Sequence, residues 1–348
     1  MENKLLELKL SHIYKQFETE FCKNWSTFIK QCDPTMSRAK QLNIGNHTRP
    51  FLVYLGCATY FDFDDSNMIK EAAQIAVSIE AIHKASVIID DIIDGDSLRR
   101  GEKCMHYEFG EYETVFFAVC MLALGIENMN IILSVHKHKT IHSSTISILC
   151  DTIYSMCHGA IMEISSGIKQ QTNLCHIQEI INCETTKLIE NSLFIGYLYT
   201  GSSNEKIGDA IRSIGNKCGY IFQVMNDLEA FCNPQHILLY KGNINSDFLR
   251  SRKNIILPYL YNACNNADKA RLAELLENGN SCFHEAKELF DKYNIKHIIL
   301  KELNEIYNSL LLIIPTMKSE IQNQQWINFF ESYLKHTKIK YQNILNIS

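Results

Sequence analysis

Proline is scarce in this chain, with five among 348 residues, and glycine is sparse at fifteen. Most of both fall between stretches of apolar periodicity, the spacing of a protein made of long helices. Runs that alternate apolar and polar residues, the mark of strands, are nearly absent. No excess of positive charge exists. Lys and Arg number 34 against 39 Asp and Glu, a net charge of −5, which gives no field for nucleic acid but leaves room for a local basic pocket. The thirteen cysteines form no CxxC pair and no zinc spacing with histidine, and an odd number without a framework suits a reducing cytoplasm, the expected location. No apolar run is long enough to span a bilayer; the longest, Thr114 to Ile126, fits a buried or interface helix. Charged residues interrupt the opening MENKLLELKLSHIYKQFETEF throughout, so neither a signal nor a transit peptide is read there. Linkers rich in Gly, Ser or Pro, repeats and low-complexity tracts are missing too. With 46% apolar residues the chain can bury a large core, and one helical domain over residues 1–348 is expected.

What is present is helical periodicity. Leu6, Leu10, Ile13, Phe17, Phe21, Trp25 and Phe28 recur at three and four residues, which predicts one amphipathic helix before Pro34. The same period predicts helices over 50–60, 67–93, 114–134, 145–165, 177–199 and 206–231. The segment HKHK, His136 to Lys139, with His142 beyond it, reads as a solvated loop between helices in preference to a metal site.

The segment HKASVIIDDIIDGDSLRRG, His83 to Gly101, carries the chemistry. An apolar helix runs into Asp90, Asp91 and Asp94. Asp90 and Asp94 are one turn apart on one face, and Asp91 lies beside them at three residues from Asp94. Like charges gathered so closely repel unless cations fill the cluster, and hard oxygen donors without His or Cys select Mg²⁺ or Mn²⁺. Arg99 and Arg100 follow. Carboxylates, Mg²⁺ and guanidinium groups together describe a diphosphate site, because arginine pairs bidentately with the phosphate oxygens that the metal leaves.

On these residues the chain resembles the trans-isoprenyl diphosphate synthase, or polyprenyl synthetase, family. Its first motif, DDxxD followed by RRG, appears as DDIID and RRG. EAIHKAS from Glu80 resembles the helix upstream, with His83 seven residues before the first aspartate. The resemblance runs on through KCMHYEFG to Gly110. TRP at Thr48 to Pro50 resembles the end of the GKRxRP motif, and GYIFQ at Gly219 to Gln223 the approach to the second aspartate-rich motif. The resemblance implies an all-α isoprenoid synthase-type helical bundle around a deep central cavity, two or three Mg²⁺ ions, and an allylic prenyl diphosphate ionised at Asp90, Asp91 and Asp94. It implies diphosphate contacts from Arg49, His83, Arg99, Arg100, Gln223 and Lys253. Ala85 and Ser86, five and four residues before Asp90, are expected to line the pocket below the diphosphate and set its depth. The all-apolar helix beginning at Thr114 implies a homodimer.

The departures are specific. The second motif reads NDLEA at Asn226 to Ala230, so any metal there falls to Asp227 and the Asn226 carbonyl, with Gln223 and water. The KT pair of the resembling family becomes Glu184 and Thr185, a carboxylate where phosphate should sit, with Lys187 three residues on. Asn46 and His47 replace the Lys and Arg of GKRxRP. Loss of one charge-assisted diphosphate contact costs about 1.5–3 kcal/mol. A prenyltransferase with an acceptor other than isopentenyl diphosphate is therefore the favoured reading. The alternatives are an orthodox synthase condensing an allylic diphosphate with isopentenyl diphosphate, and a non-catalytic regulatory subunit of such a synthase.

Overall fold

The structure is a computed structural model that describes residues 2–43, 45–135, 139–241, 254–278 and 283–344. Its elements follow in chain order as α1 (Glu2–Cys32), α2 (Ala39–Asn43), α3 (Thr48–Cys57), α4 (Ser66–Asp94), a hairpin of β1 (Leu98–Arg99) and β2 (Glu102–Lys103), α5 (Met105–Phe109) and α6 (Glu111–Ser134). Then come α7 (Lys139–Ser165), α8 (Ile168–Gln171), α9 (Leu174–Ile181), a π turn (Asn182–Thr186), α10 (Lys187–Tyr199), α11 (Glu205–Cys232) and α12 (Pro234–Lys241). The chain closes with α13 (Ile256–Ala263), α14 (Asn266–Asn278), α15 (Phe283–Lys292), α16 (Ile295–Thr316) and α17 (Trp326–Ile344). The fold is all-α, as the scarcity of strand signals implies.

The helices follow from their periodicity and caps. In α1 the stripe Ile13, Phe17, Phe21, Trp25 and Phe28 is buried. α4 starts at Asp65, whose carboxylate accepts from the N–H groups of Asn67 and Met68 at 2.9 and 3.1 Å. It stops at Gly95, which adopts a left-handed φ of 57°. The helix therefore delivers its carboxylates at its very end.

Two buried apolar clusters make up the core. One joins α1, α3, α4, α6, α7, α10 and α17, the other α9 and α13 to α15. α11 and α16 run through both: Ile207, Ile211 and Ile214 belong to the first and Val224, Met225 and Leu228 to the second, while α16 gives Leu310 and Ile314 to the first and Ile299 and Leu303 to the second.

Three sequence expectations are corrected. Glycines are not confined to the interhelical stretches: among the described residues Gly56, Gly125, Gly159, Gly196, Gly208, Gly215 and Gly219 lie inside helices. The reason is close packing. At Gly56 and Gly196, α3 and α10 cross so tightly that a Cβ on either would strike the other helix's backbone. The helix expected over 177–199 is broken by the π turn, which admits one extra residue at Asn182–Thr186. Finally, α4 and α6 are each long and apolar enough to cross a membrane, although Thr114 to Ile126 alone is too short. α4 is mostly buried in the bundle, whereas α6 buries one face only and leaves Tyr112, Phe116, Val119 and Ile131 exposed.

Candidate active site

The C-terminal end of a helix carries partial negative charge, so aspartates gathered there are unfavourable without nearby cations. The chain supplies one. Asp91, 5% exposed, accepts from Arg99 Nε at 2.7 Å and from a terminal nitrogen of the same guanidinium, with Asp96 3.9 Å away. Burial pushes the Asp91 carboxyl above its usual range while Arg99 pulls the other way. Although burial opposes it, Asp91 holds the Arg99 guanidinium firmly charged.

Asp90 is exposed and Asp94 is buried one turn on. Of the three expected metal ligands, the geometry leaves Asp90 and Asp94 on one face and turns Asp91 to Arg99. The cause is helical geometry, since adjacent residues point about 100° apart. Among the described residues no three His, Cys, Asp or Glu side chains gather as a complete metal cage. Two carboxylates nevertheless fit Mg²⁺, which takes few protein ligands and fills its octahedron with water and phosphate oxygens.

RRG is the turn of the hairpin. Leu98 pairs with Lys103 and Arg99 with Glu102, and the intervening Arg100 and Gly101 have φ of 56° and 80°. Two consecutive positive φ values are what a two-residue I′ turn demands, and glycine at the second position relieves the strain. Strand alternation and the turn send the two arginines apart. Arg99 goes back to Asp91, and Arg100 lies against Gly45, where a side chain would collide with its guanidinium.

That contact brings the hairpin onto the loop before α3. Here Arg49 Nη1 donates to His83 Nε2 at 3.0 Å. Arginine can only donate, so the imidazole is neutral with its proton on Nδ1. Burial, helped by Arg49, Lys84, Arg100 and Arg99, accordingly holds His83 well below the usual imidazole range. Arg49 also lies 5.6 Å from the centre of the Phe222 ring. Beyond Phe222 opens an apolar cavity of about 140 Å³ lined by Thr48, Leu52, Ile189, Leu303 and Tyr333 among others.

Ala85 and Ser86 do not line that cavity. Ala85 is fully buried, one turn from Ala81, which packs on Gly125 of α6, so it belongs to the α4–α6 seam. Ser86 is half-buried one turn before Asp90, and its hydroxyl donates to the carbonyl of His83 at 2.8 Å.

The second motif is organised differently from expectation. Gln223 donates to Asp227 Oδ1 at 2.8 Å and accepts from the Thr185 hydroxyl at 2.9 Å, while Asp227 Oδ2 accepts from the Ile255 N–H at 2.9 Å. Gln223 and Asp227 thus tie the π turn to the start of α13, and Asn226 faces outward. Glu184, the carboxylate expected beside phosphate, packs the stem of its side chain against Gly159 of α7. Lys187 does not replace the missing lysine: it donates to Glu190 at 3.2 Å, a carboxylate that also accepts from Arg212 at 3.1 Å. Lys253 and His136 lie outside the described residues. His142 is bonded to Asn130 at 2.7 Å. α12 packs on β1, which brings the ends of α4 and α11 to the same end of the bundle.

Lys84 and Glu80 escaped the sequence reading. Both residues are buried, 8% and 2% exposed, and their side chains pair at 3.7 Å. The available signal was a charged pair four residues apart inside an otherwise apolar helix.

Comparison with known proteins identifies the family. The polyprenyl synthetase family profile matches residues 34–293. A short chain isoprenyl diphosphate synthase of Methanocaldococcus jannaschii is 27% identical over 267 residues, 76% of this chain and 78% of its own. Heptaprenyl diphosphate synthase component 2 of Bacillus subtilis is 30% identical over 228 residues, 66% of this chain and 60% of its own. The crystal structure of heptaprenyl diphosphate synthase from Staphylococcus aureus superposes with a TM-score of 0.76 at 22% identity, over 92% of this chain and 96% of that one. With the aspartate-rich end of α4, the RRG turn and the profile match in agreement, the chain belongs to the polyprenyl synthetase family and is a prenyltransferase.

Proposed function

We propose that this enzyme condenses an allylic prenyl diphosphate with isopentenyl diphosphate. The observation that carries the reading is Arg49, held by neutral His83 and set over the ring of Phe222, a wall residue of the apolar cavity. A guanidinium beside an apolar cavity suits a ligand with a diphosphate head and a short hydrocarbon tail. An apolar cavity of about 150 Å³ can hold benzene, so a five-carbon unit is of the right size. The sequence argument for another acceptor rests on Asn46 and His47. It loses force because Arg100 is brought to the same loop from the hairpin.

Asp90 and Asp94 would hold Mg²⁺, which when bound neutralises the departing diphosphate. Arg99, kept in place by Asp91, adds fixed positive charge on the same side. The allylic C1–O bond breaks with its electron pair leaving on the diphosphate. The acceptor's double bond then attacks C1, and the proton lost from the acceptor passes to the released diphosphate. Apolar walls keep water from the allylic cation.

The test is product analysis with ten-, fifteen- and twenty-carbon allylic donors and labelled isopentenyl diphosphate in Mg²⁺. Elongated prenyl diphosphate is expected. Pyrophosphate release at the same rate with and without isopentenyl diphosphate would favour a different acceptor, and no release at all a regulatory subunit. The exposed apolar face of α6 supports self-association as a homodimer.

A further inference from the structure

We propose that the apolar cavity walled by α3, α10, α11, α16 and α17 also binds a free medium-chain monocarboxylate, which enters between α16 and α17, sets its head on Lys338 and competes with the acceptor's tail. The inference deepens the acceptor reading above by naming a regulator of the same cavity, and it rests on that reading only for the competition. On α16, Leu300, Leu303, Asn304 and Tyr307 follow the three-and-four spacing of one helix face, and all four wall the cavity. Leu334 and Lys338, one turn apart on α17, close it from the other side. Leu303 and Leu334 are buried, Lys338 and Gln342 half-buried, and Asn304 is exposed, so the apolar body meets solvent through a polar mouth between these two helices.

Two polar groups there are left without a polar partner among the described residues. The Lys338 ammonium lies 4.3 Å from the centre of the Tyr307 ring, and no carboxylate pairs with it. Tyr307 is 9% exposed, yet its hydroxyl has no hydrogen-bond partner. Buried hydroxyls are rarely left so, and the exceptions mark places that the protein does not complete by itself. A cation over a ring near the surface is held less firmly than one hydrogen-bonded to a carboxylate, so the ammonium is open to an anion. The helix dipole does not explain it, because Lys338 stands before the last turn of α17, which ends at Ile344. Charge count then selects the ligand. One ammonium, one phenol and the amides of Asn304 and Gln342 match a head with a single negative charge, whereas a diphosphate would keep most of its charge unpaired there. The volume of about 140 Å³ is close to that of a cavity that holds benzene, so it takes roughly six carbons of a tail. Leu52 and Phe222 wall the same space from the side of Arg49, and it cannot hold this tail and the acceptor's together.

Calorimetry with octanoate on the full chain, without substrate or Mg²⁺, reads the site directly, and 1-octanol reads the tail alone. One octanoate per chain is expected. Lys338→Met keeps an apolar stem over Tyr307 and should weaken octanoate about tenfold or more while leaving 1-octanol within about twofold. Tyr307→Phe keeps the ring under the ammonium, removes only the hydroxyl, and should weaken octanoate about threefold. Leu303→Trp fills the cavity and should abolish binding of both. In steady-state assays with an allylic donor and isopentenyl diphosphate in Mg²⁺, octanoate should raise the KM for isopentenyl diphosphate and leave kcat within about twofold. Measured against each enzyme's own KM, that inhibition should weaken about tenfold in Lys338→Met.

Octanoate affinity unchanged by Lys338→Met would overturn the assignment, and so would equal binding of octanoate and 1-octanol by the parent. Geranyl diphosphate that displaced octanoate at lower concentration, with the same dependence on Lys338, would overturn the choice of a monoanionic head. Inhibition that raised the donor KM, or lowered kcat alone, would overturn the competition. If Leu303→Trp does not fold, Lys338→Met and Tyr307→Phe, which change a half-buried ammonium and a single hydroxyl, still decide the site. A parent that binds octanoate through Lys338 but consumes no isopentenyl diphosphate would defeat the functional reading alone and leave the carboxylate site standing.

Discussion

Adjacent aspartates at the end of α4 point in different directions. Asp90 and Asp94 share a face, and either Asp90→Ala or Asp94→Ala is expected to lower prenyl transfer by roughly 10²–10³ with the helical circular dichroism retained. Parental turnover in either variant would remove the metal assignment. Asp91 pairs with Arg99, so Asp91→Asn is expected to raise the donor KM and preserve most of the Mg²⁺ dependence. A variant whose requirement for Mg²⁺ increased steeply would instead make Asp91 a metal ligand. Ala85 and Ser86 separate in the same way. Ala85→Phe forces a ring into the α4–α6 seam and should cost about 1–3 kcal/mol in urea unfolding, while Ser86→Phe, on the face of Asp90, should shorten the products. The reverse outcome, shorter products from Ala85→Phe at full stability, would put Ala85 on the cavity wall. Residue spacing revealed the carboxylates but not these divisions, because spacing sets faces to within a turn while pairing with Arg99 depends on a hairpin formed eight residues later.

Long helices were legible from their three-and-four periodicity, whereas the ends of α4 are set by its caps, Asp65 and Gly95. Short irregular elements were not. The two-residue strands around Arg100 and Gly101 have no alternation to detect, and the π turn at Asn182–Thr186 differs from an α-helix by a single inserted residue. That insertion matters, since it presents Thr185 to Gln223 and lets Glu184 turn toward Gly159. Glycines within helices were misleading, because a lack of helix propensity costs only about 1 kcal/mol and a close crossing can outweigh it. At the α3–α10 crossing the effect is testable. Gly196→Ala should improve local propensity yet destabilise the protein by about 1–3 kcal/mol, as α3 is pushed away. It should also raise the acceptor KM, since Arg49 rides on α3. A stabilised variant would show that the crossing has slack.

The molecule as a whole is asymmetric in how it meets solvent. α6 exposes Tyr112, Phe116, Val119 and Ile131, and α7 beside it exposes Tyr154, Ile161 and Ile164. A surface of that size and character is unusual for a monomer. Light scattering at micromolar concentration is expected to give roughly twice the chain mass of 40.1 kDa, and Phe116→Glu to return the mass to one chain. A monomeric parent would refute the homodimer. The apolar run was visible in the sequence; its one-sided burial was not, because that depends on which face α4 covers. Two helices also run unbroken through both apolar clusters, α11 carrying Arg49's partner ring Phe222 and the Asp227 staple, α16 passing alongside. Neither cluster can open by itself without fraying a helix that the other still grips. Amide exchange along α11 should therefore slow together over its whole length when a diphosphate binds at one end, so that ligand occupancy is felt as protection far from the site itself.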